Sequence, residues 1–425
     1  MSSSSHNQAL TPVPQHDRAF SFHSHLSLWF SLGVGLLVIQ VGAFLVPAVG
    51  TKDALGAIIL GSVIGSALLA ITAWLGCRTG LSSAGLMHSV YGPGFARIPI
   101  VLNIIQLVGW TTFELVIMRD GTLAVFSQAL GLDISGTPSL IIATLVWGGL
   151  ISLLMLGSML TLVRTFINRF GLPLVIASLV WLSWHFYGVL SQKGLGDFFA
   201  RQGDGSLGMA AALDIVIAMP VSWLPLVADY ARYGKNRLST FNGTLIGYTI
   251  ANIWCYGLGF VVAGLSEPGA DLVTTLLLAQ GGLLALSLIL LDEVDNAYGD
   301  VYSSAVCTHS LMPDWSIKQW GFGIGLVCTG LAMILPMQAL EPFLLMLSSV
   351  FVPLYGVILG RLLFAYHEGD RHSPTSRAIA MLVWLMGICV FQGLTHFAPE
   401  WGATLPTLVL TALLGQLTRP RLVTE

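Results

Sequence analysis

Gln106, Trp110 and Glu114 stand at i, i+4 and i+8 within one apolar stretch. That spacing lines them up on one face of a helix. An amide, a flat indole and an acid on one stripe suit a planar, hydrogen-bonding heterocycle, whose ring stacks while its polar edges pair. A Gln–Trp pair alone would pass for packing. The acid argues otherwise, because an ionisable group at the centre of a bilayer costs about 2.5–3.5 kcal/mol or more and marks a functional site by default. A denser run follows later, Leu291-Asp-Glu-Val-Asp-Asn-Ala-Tyr-Gly-Asp300. Within it Asp292, Asp295, Asn296 and Gly299 fall at i, i+3, i+4 and i+7, with Glu293 about 100° round the helix. Charges at a solvated helix end would need no explanation, but residues 301–306 stay weakly apolar. That favours a central cavity opening inward.

The elements that hold these residues must cross a membrane. Of 425 residues, 55% are hydrophobic and only 9% charged, with mean hydropathy +0.81, whereas a soluble domain carries about 25% charged residues. Apolar blocks such as Leu55–Trp74, Ser139–Leu156 and Gly171–Leu190 have the length needed to cross about 30 Å of hydrocarbon. Read against Gly, Pro and charge clusters, the chain gives twelve spans, at about 27–48, 54–76, 96–118, 138–160, 171–190, 209–230, 240–264, 272–299, 319–337, 341–363, 376–396 and 402–418. With both termini cytoplasmic, fourteen of the 18 Lys and Arg fall inside and four (Lys52, Arg119, Lys193, Arg201) outside, the bias of the positive-inside rule. Residues 1–26 read as a disordered cytoplasmic tail, 27–420 as one polytopic domain and 421–425 as a second cytoplasmic tail. A net charge of −3 with no strongly basic segment speaks against a nucleic-acid partner. The five cysteines sit singly, without the spacing of a disulfide or zinc framework.

Two spans are poor candidates for continuous helices. Span 1 reads Gly33-Val-Gly-Leu-Leu-Val-Ile-Gln40-Val-Gly-Ala-Phe-Leu-Val-Pro47, with a glutamine at mid-membrane. Span 6 reads Ile217-Ala-Met-Pro220-Val-Ser222-Trp223-Leu-Pro225. Proline removes a backbone donor and clashes with the preceding turn, and lipid supplies no substitute partner. Broken spans at matching places in two halves point to a transporter site. Gln40 to Trp223 and Trp110 to Glu293 share one offset of 183 residues. A first repeat of about 27–190 and an inverted second of about 209–363 follow, with spans 11 and 12 (about 376–418) appended.

These residues carry a resemblance. Asn103-Ile-Ile-Gln-Leu-Val-Gly-Trp-Thr111 together with Ala228-Asp-Tyr-Ala-Arg-Tyr-Gly-Lys-Asn-Arg237 resembles the first nucleobase–cation symporter family. Leu28-Trp-Phe30 and Asp300-Val-Tyr-Ser-Ser304 are most similar to its bacterial cytosine-permease-like branch, which carries hydroxymethylpyrimidine, a thiamin precursor. The resemblance implies a five-plus-five inverted-repeat fold with the substrate between spans 1, 3, 6 and 8. By position, Trp110 would be the stacking indole and Glu114 would stand where relatives place a ring-binding glutamine. Asn296 would be the span-8 amide that binds the base, Gln40 would lie in the broken part of span 1, and Ser222 and Trp223 would lie near the span-6 site. Sodium-coupled relatives offer span-8 hydroxyls five and six positions before the amide. Here those positions are Leu291 and Leu290, which cannot coordinate a hard cation. Acids crowd the same helix, so proton coupling through Glu114, Asp292, Glu293 or Asp295 is expected rather than sodium coupling.

The sequence therefore reads as an all-α integral membrane protein of a bacterial inner membrane, with about twelve transmembrane helices of which the first and sixth are broken. The expected function is secondary-active symport of a pyrimidine-type base with a cation, by alternating access. Its partners would be a small heterocycle, the coupling cation and the lipid bilayer. No catalytic residue, cofactor or bound metal is expected, since neither HExxH nor GxSxG occurs. A metal-ion transporter of the same architecture would show Asp-Pro-Gly-Asn and Met-Pro-His at the breaks, where this chain has Leu-Val-Pro and Met-Pro-Val. An amino-acid transporter of the same fold and an ion channel are the remaining alternatives.

Overall fold

A computed structural model describes residues 8–131, 134, 136–158, 171–266, 275–276, 281–336, 340–363 and 373–419. In chain order, the first half contains α1 (Phe22–Ser31), α2 (Leu36–Val49), α3 (Thr51–Thr79), α4 (Ser83–Phe95), α5 (Arg97–Leu130), α6 (Thr137–Leu154) and α7 (Leu172–Lys193). A short α8 (Leu195–Ala200) leads into α9 (Met209–Ser222), α10 (Leu224–Ala231), α11 (Arg237–Leu265), α12 (Gly282–Leu311) and α13 (Ile317–Ala332). The chain continues through α14 (Leu340–Leu362), α15 (Pro374–Phe397) and α16 (Thr404–Leu417). Among the described residues, seven spans are long and apolar enough to cross a bilayer, with α9 and α10 together making one. An eighth comes from α1 and α2, bent by 60°. The acid-bearing α12, with α13, α14 and α16, stands in the places of the remaining spans read from the sequence.

The two breaks have different causes. Span 6 is interrupted at Trp223, where Pro225 opens α10 and the Ser222 hydroxyl donates 2.6 Å to the Met219 carbonyl. That matches the proline logic. Span 1 corrects it: Gln40 lies inside the regular helix α2, and the break falls earlier, at residues 32–35, which include Gly33 and Gly35. Glycine costs more to fix in a helix than other residues, and here that outweighs the more conspicuous glutamine.

Helix α11 is the spine of one half of the molecule, with α1, α2 and α3 laid along it, while α5 lies along α12. The closest crossing is α2 on α11. A Cβ on Gly42 would strike the Tyr256 backbone, and one on Gly259 would strike the Ile39 carbonyl. Such backbone approach is how helices pack in lipid, where apolar surface alone gives no driving force. Gly259→Leu is therefore expected to lower the midpoint of thermal unfolding and the yield of folded protein, at an overpacking cost of about 1–3 kcal/mol. Gly257→Leu, with open space at its Cβ, should leave both unchanged. Equal behaviour of the two variants would contradict this contact.

Two further expectations are corrected. Residues 8–26, read as part of a disordered tail, are packed: Ala9 and Phe20 are fully buried, and the Phe20 N–H donates to the Tyr233 carbonyl at 2.8 Å. Lys235 N–H donates back to Phe20 at 2.9 Å, and Arg18 Nη1 donates to the Cys77 carbonyl at 2.6 Å. A polar segment is tied down here by donors whose acceptors lie far along the chain. Arg119, assigned to an outer loop, lies within α5, donating to the Ala332 carbonyl and pairing with Asp120 at 2.6 Å. The tail expected over 421–425 lies outside the described residues.

Candidate functional site

The polar run of residues 292–300 sits mid-helix in α12, with ten or more helical residues on either side. Asp292, Glu293, Asp295, Asn296 and Asp300 are all buried. A solvated helix end is thus excluded as the explanation of the run. Facing it across one cavity is α5, with Trp110 and Glu114. The break in span 1 contributes Val34 and Gly35, the α9–α10 junction contributes Ser222 and Trp223, and α11 adds Tyr248. Of the residues singled out from the sequence, Trp110, Glu114, Ser222, Trp223, Glu293 and Asn296 therefore meet around one space. Gln40, Gln106, Asp292 and Asp295 are not among its lining residues.

The departures have local reasons. Gln40 lies on α2 beyond the break and is half-buried there. Gln106 donates to Asn103 Oδ1 at 2.9 Å, and Asn103 in turn donates to the Pro225 carbonyl at 2.9 Å, so this pair joins α5 to the broken span 6. On α12 the cavity receives Glu293, Asn296 and Asp300 (i, i+3, i+7), not the stripe through Asp292 and Asp295. Both stripes have helical spacing, and packing chooses between them: Leu290 fills the space over Gly121 of α5. Asp300 was missed as a site residue; its signal was the spacing of seven from Glu293 in the run itself. Leu291 is 53% exposed and Leu290 faces α5. Neither of the two positions compared with cation-binding hydroxyls turns toward the break in span 1.

Asp292 and Asp295 turn there instead. The Ser31 hydroxyl, at the end of α1, lies 2.9 Å from Asp292 Oδ1 and 3.0 Å from Asp295 Oδ2. A hydroxyl has one hydrogen, so it can donate to only one of these oxygens.

Beside this pair, α12 holds the break itself. Glu293 Oε1 accepts from the Leu36 N–H at 2.6 Å, at the first residue of α2, where an acid complements the exposed N–H groups and the helix dipole. The Asn296 amide nitrogen donates to the Val34 carbonyl at 3.1 Å and to Glu293 Oε2 at 3.2 Å. Since a carbonyl can only accept, this fixes the amide's orientation. Both hydrogens are used and Asn296 Oδ1 is left without a protein partner. Glu114 Oε2, Trp110 Nε1 and the Tyr248 hydroxyl are likewise buried and unpartnered. Buried polar groups are seldom left so, and four around one cavity are open positions for a ligand. No lining residue is basic. Among the described residues, no group of three or more His, Cys, Asp or Glu side chains is arranged to hold a metal ion.

Residues 12–377 match the family described as permease for cytosine/purines, uracil, thiamine, allantoin. The cytosine permease of Escherichia coli O157:H7 is 24% identical over 438 residues, covering 98% of this chain and 97% of the relative. Among solved structures, Mhp1, a nucleobase-cation-symport-1 family transporter closed around bromovinylhydantoin, superposes with a TM-score of 0.80 at 16% identity, over 98% of this chain and 95% of that one. The inward-facing conformation of Mhp1 gives 0.75 at 16% identity, over 97% and 92%.

Proposed function

The chain belongs to the nucleobase–cation symporter family of permeases for cytosine and purines, uracil, thiamine and allantoin, and from that premise we propose that it imports a pyrimidine-type base of the hydroxymethylpyrimidine or cytosine kind, driven by a proton gradient. One observation supports this reading above the rest. An indole, a carboxyl group and an amide oxygen, each with an unused hydrogen-bonding position, surround a single buried cavity at Trp110, Glu114 and Asn296. A flat ring with polar edges fits that set: the faces stack, the edges pair.

The cavity lies where both broken spans meet α5 and α12, so a change at either break alters its walls. Alternating access then consists of rocking the body built on α1, α2, α3, α9, α10 and α11 against α5 and α12, about the fixed site. The coupling proton is held by Asp292 and Asp295, at the end of α1. Their shared Ser31 hydroxyl satisfies one oxygen, and a proton on either carboxyl satisfies the other. With it bound, α1 and α12 are tied through Ser31; without it, two neighbouring carboxylates on α12 repel one another and compete for the one Ser31 hydrogen. Glu114, Glu293 and Asp300 are the remaining acids at the site. The Lys and Arg bias supports both termini being cytoplasmic, and the likeness to a bacterial permease supports a bacterial inner membrane.

Purified protein in liposomes, clamped at zero membrane potential, tests this directly. A pH gradient, acid outside, should drive saturable uptake of radiolabelled cytosine or hydroxymethylpyrimidine, and a sodium gradient at equal pH should not. Uptake that needs sodium and ignores pH would overturn the proton assignment; no saturable uptake of any base would overturn the substrate class.

A further inference from the structure

The unused polar positions of the cavity are unequal in kind. Asn296 has already given both amide hydrogens to Val34 and Glu293 and offers only Oδ1. Glu293 is occupied by Leu36 N–H and Asn296. The Ser222 hydroxyl is spent on the Met219 carbonyl. What remains are the carboxyl groups of Glu114 and Asp300, which line the cavity from facing helices. The amide oxygen is a third acceptor, and no lining residue is a cation. The donors are the indole N–H of Trp110, the Tyr248 hydroxyl and, at the start of α2, the backbone N–H groups of Leu37 and Val38.

Resting on the reading above that the cavity holds a base, we infer that its ligand is an aminated heteroaromatic ring with an amidine edge, a ring nitrogen beside an exocyclic NH2, and that it is bound as the ring-protonated cation against the Glu114 carboxylate. An amidinium and a carboxylate form two parallel N–H···O bonds with opposite charges, the strongest pairing available to a planar ligand. The proton that makes the ring cationic comes from Glu114, so the pair forms inside the cavity with no change in its net charge. A lactam-type ring such as uracil or a hydantoin takes no such proton near neutral pH and so forms no ion pair with Glu114. On binding, the Glu114 O–H bond breaks and an N–H bond forms on the ring nitrogen. On release the proton returns to Glu114. The exchange adds nothing to the number of protons translocated.

The test uses the full chain in detergent, with cytosine and 4-amino-2-methylpyrimidine as amidine probes and uracil, thymine and hydantoin as lactam probes. Calorimetry on the unaltered protein should give at least tenfold tighter binding of the amidine probes. Nitrogen-15 NMR of ring-labelled cytosine should show the bound ring nitrogen protonated at a pH where the free base is not. Glu114→Gln should narrow the preference to less than threefold. Lactam probes binding as tightly as amidine probes, or a bound ring nitrogen without a proton, would overturn the inference and leave base transport standing. Binding of neither class to the unaltered protein would overturn both.

Discussion

Replacing Trp110 by alanine is expected to weaken binding of the base by roughly 5- to 150-fold. Stacking of a base on an aromatic side chain is worth about 1–3 kcal/mol, and each 1.4 kcal/mol is tenfold in affinity. The indole is buried at the cavity wall and meets Phe343 edge-on, with ring centroids 5.6 Å apart. Part of any loss could therefore come from repacking that wall, and Trp110→Phe separates the contributions, since it keeps a stacking face and the contact with Phe343 while removing the N–H. Binding should recover to within about tenfold in the phenylalanine variant, read by calorimetry and by the half-saturation of exchange in liposomes. A metal-ion carrier or a channel on this fold would go on working after either substitution. Saturable base uptake that is indifferent to Trp110→Ala would end the claim that this cavity is the transport site.

The second large effect concerns the acid pair on the neighbouring stripe. A gradient of one pH unit is worth 1.36 kcal/mol per proton, which at zero potential limits a one-proton symporter to about tenfold accumulation. Asp295→Asn should reduce that ratio to about one while one-for-one exchange of labelled for unlabelled base across the same liposomes continues, because the cavity itself is untouched. Asp292→Asn should behave alike, since the Ser31 hydroxyl sits 2.9 and 3.0 Å from the two carboxyls. Ser31→Ala should have a smaller effect, leaving both acids in place. Full accumulation by Asp295→Asn would move the coupling site elsewhere. Loss of exchange together with accumulation would indicate a damaged fold and call for the serine variant to decide.

Much of this arrangement can be read from one dimension, and the failures have physical sources. The order of spans follows from apolar length, and the interruption of span 6 from two prolines around Ser222 and Trp223. The interruption of span 1 is less legible, because glycine breaks a helix only where its neighbours give it a reason to, and that reason, Glu293 and Asn296 holding Leu36 and Val34, lies some 260 residues away in the chain. On α12 two stripes of polar residues overlap at the same helical spacing. Which of them turns toward the cavity depends on Leu290 settling over Gly121, a contact with no local signature. Asp300 went unnoticed for this reason. The N-terminal segment looks like a solvated arm by composition, yet its hydrogen-bonding partners are Cys77, Tyr233 and Lys235.

Asn296 answers two masters: its nitrogen grips the joint of the first span while its oxygen faces whatever fills the chamber. Blockers of this carrier should accordingly fall into two pharmacological kinds. A compound that engages the oxygen tugs on the joint and freezes the carrier in one posture, whereas one that merely plugs the chamber leaves it free to swing. Dose–response curves for the two would look alike, but only the first would protect the backbone around residues 32–36 from deuterium exchange.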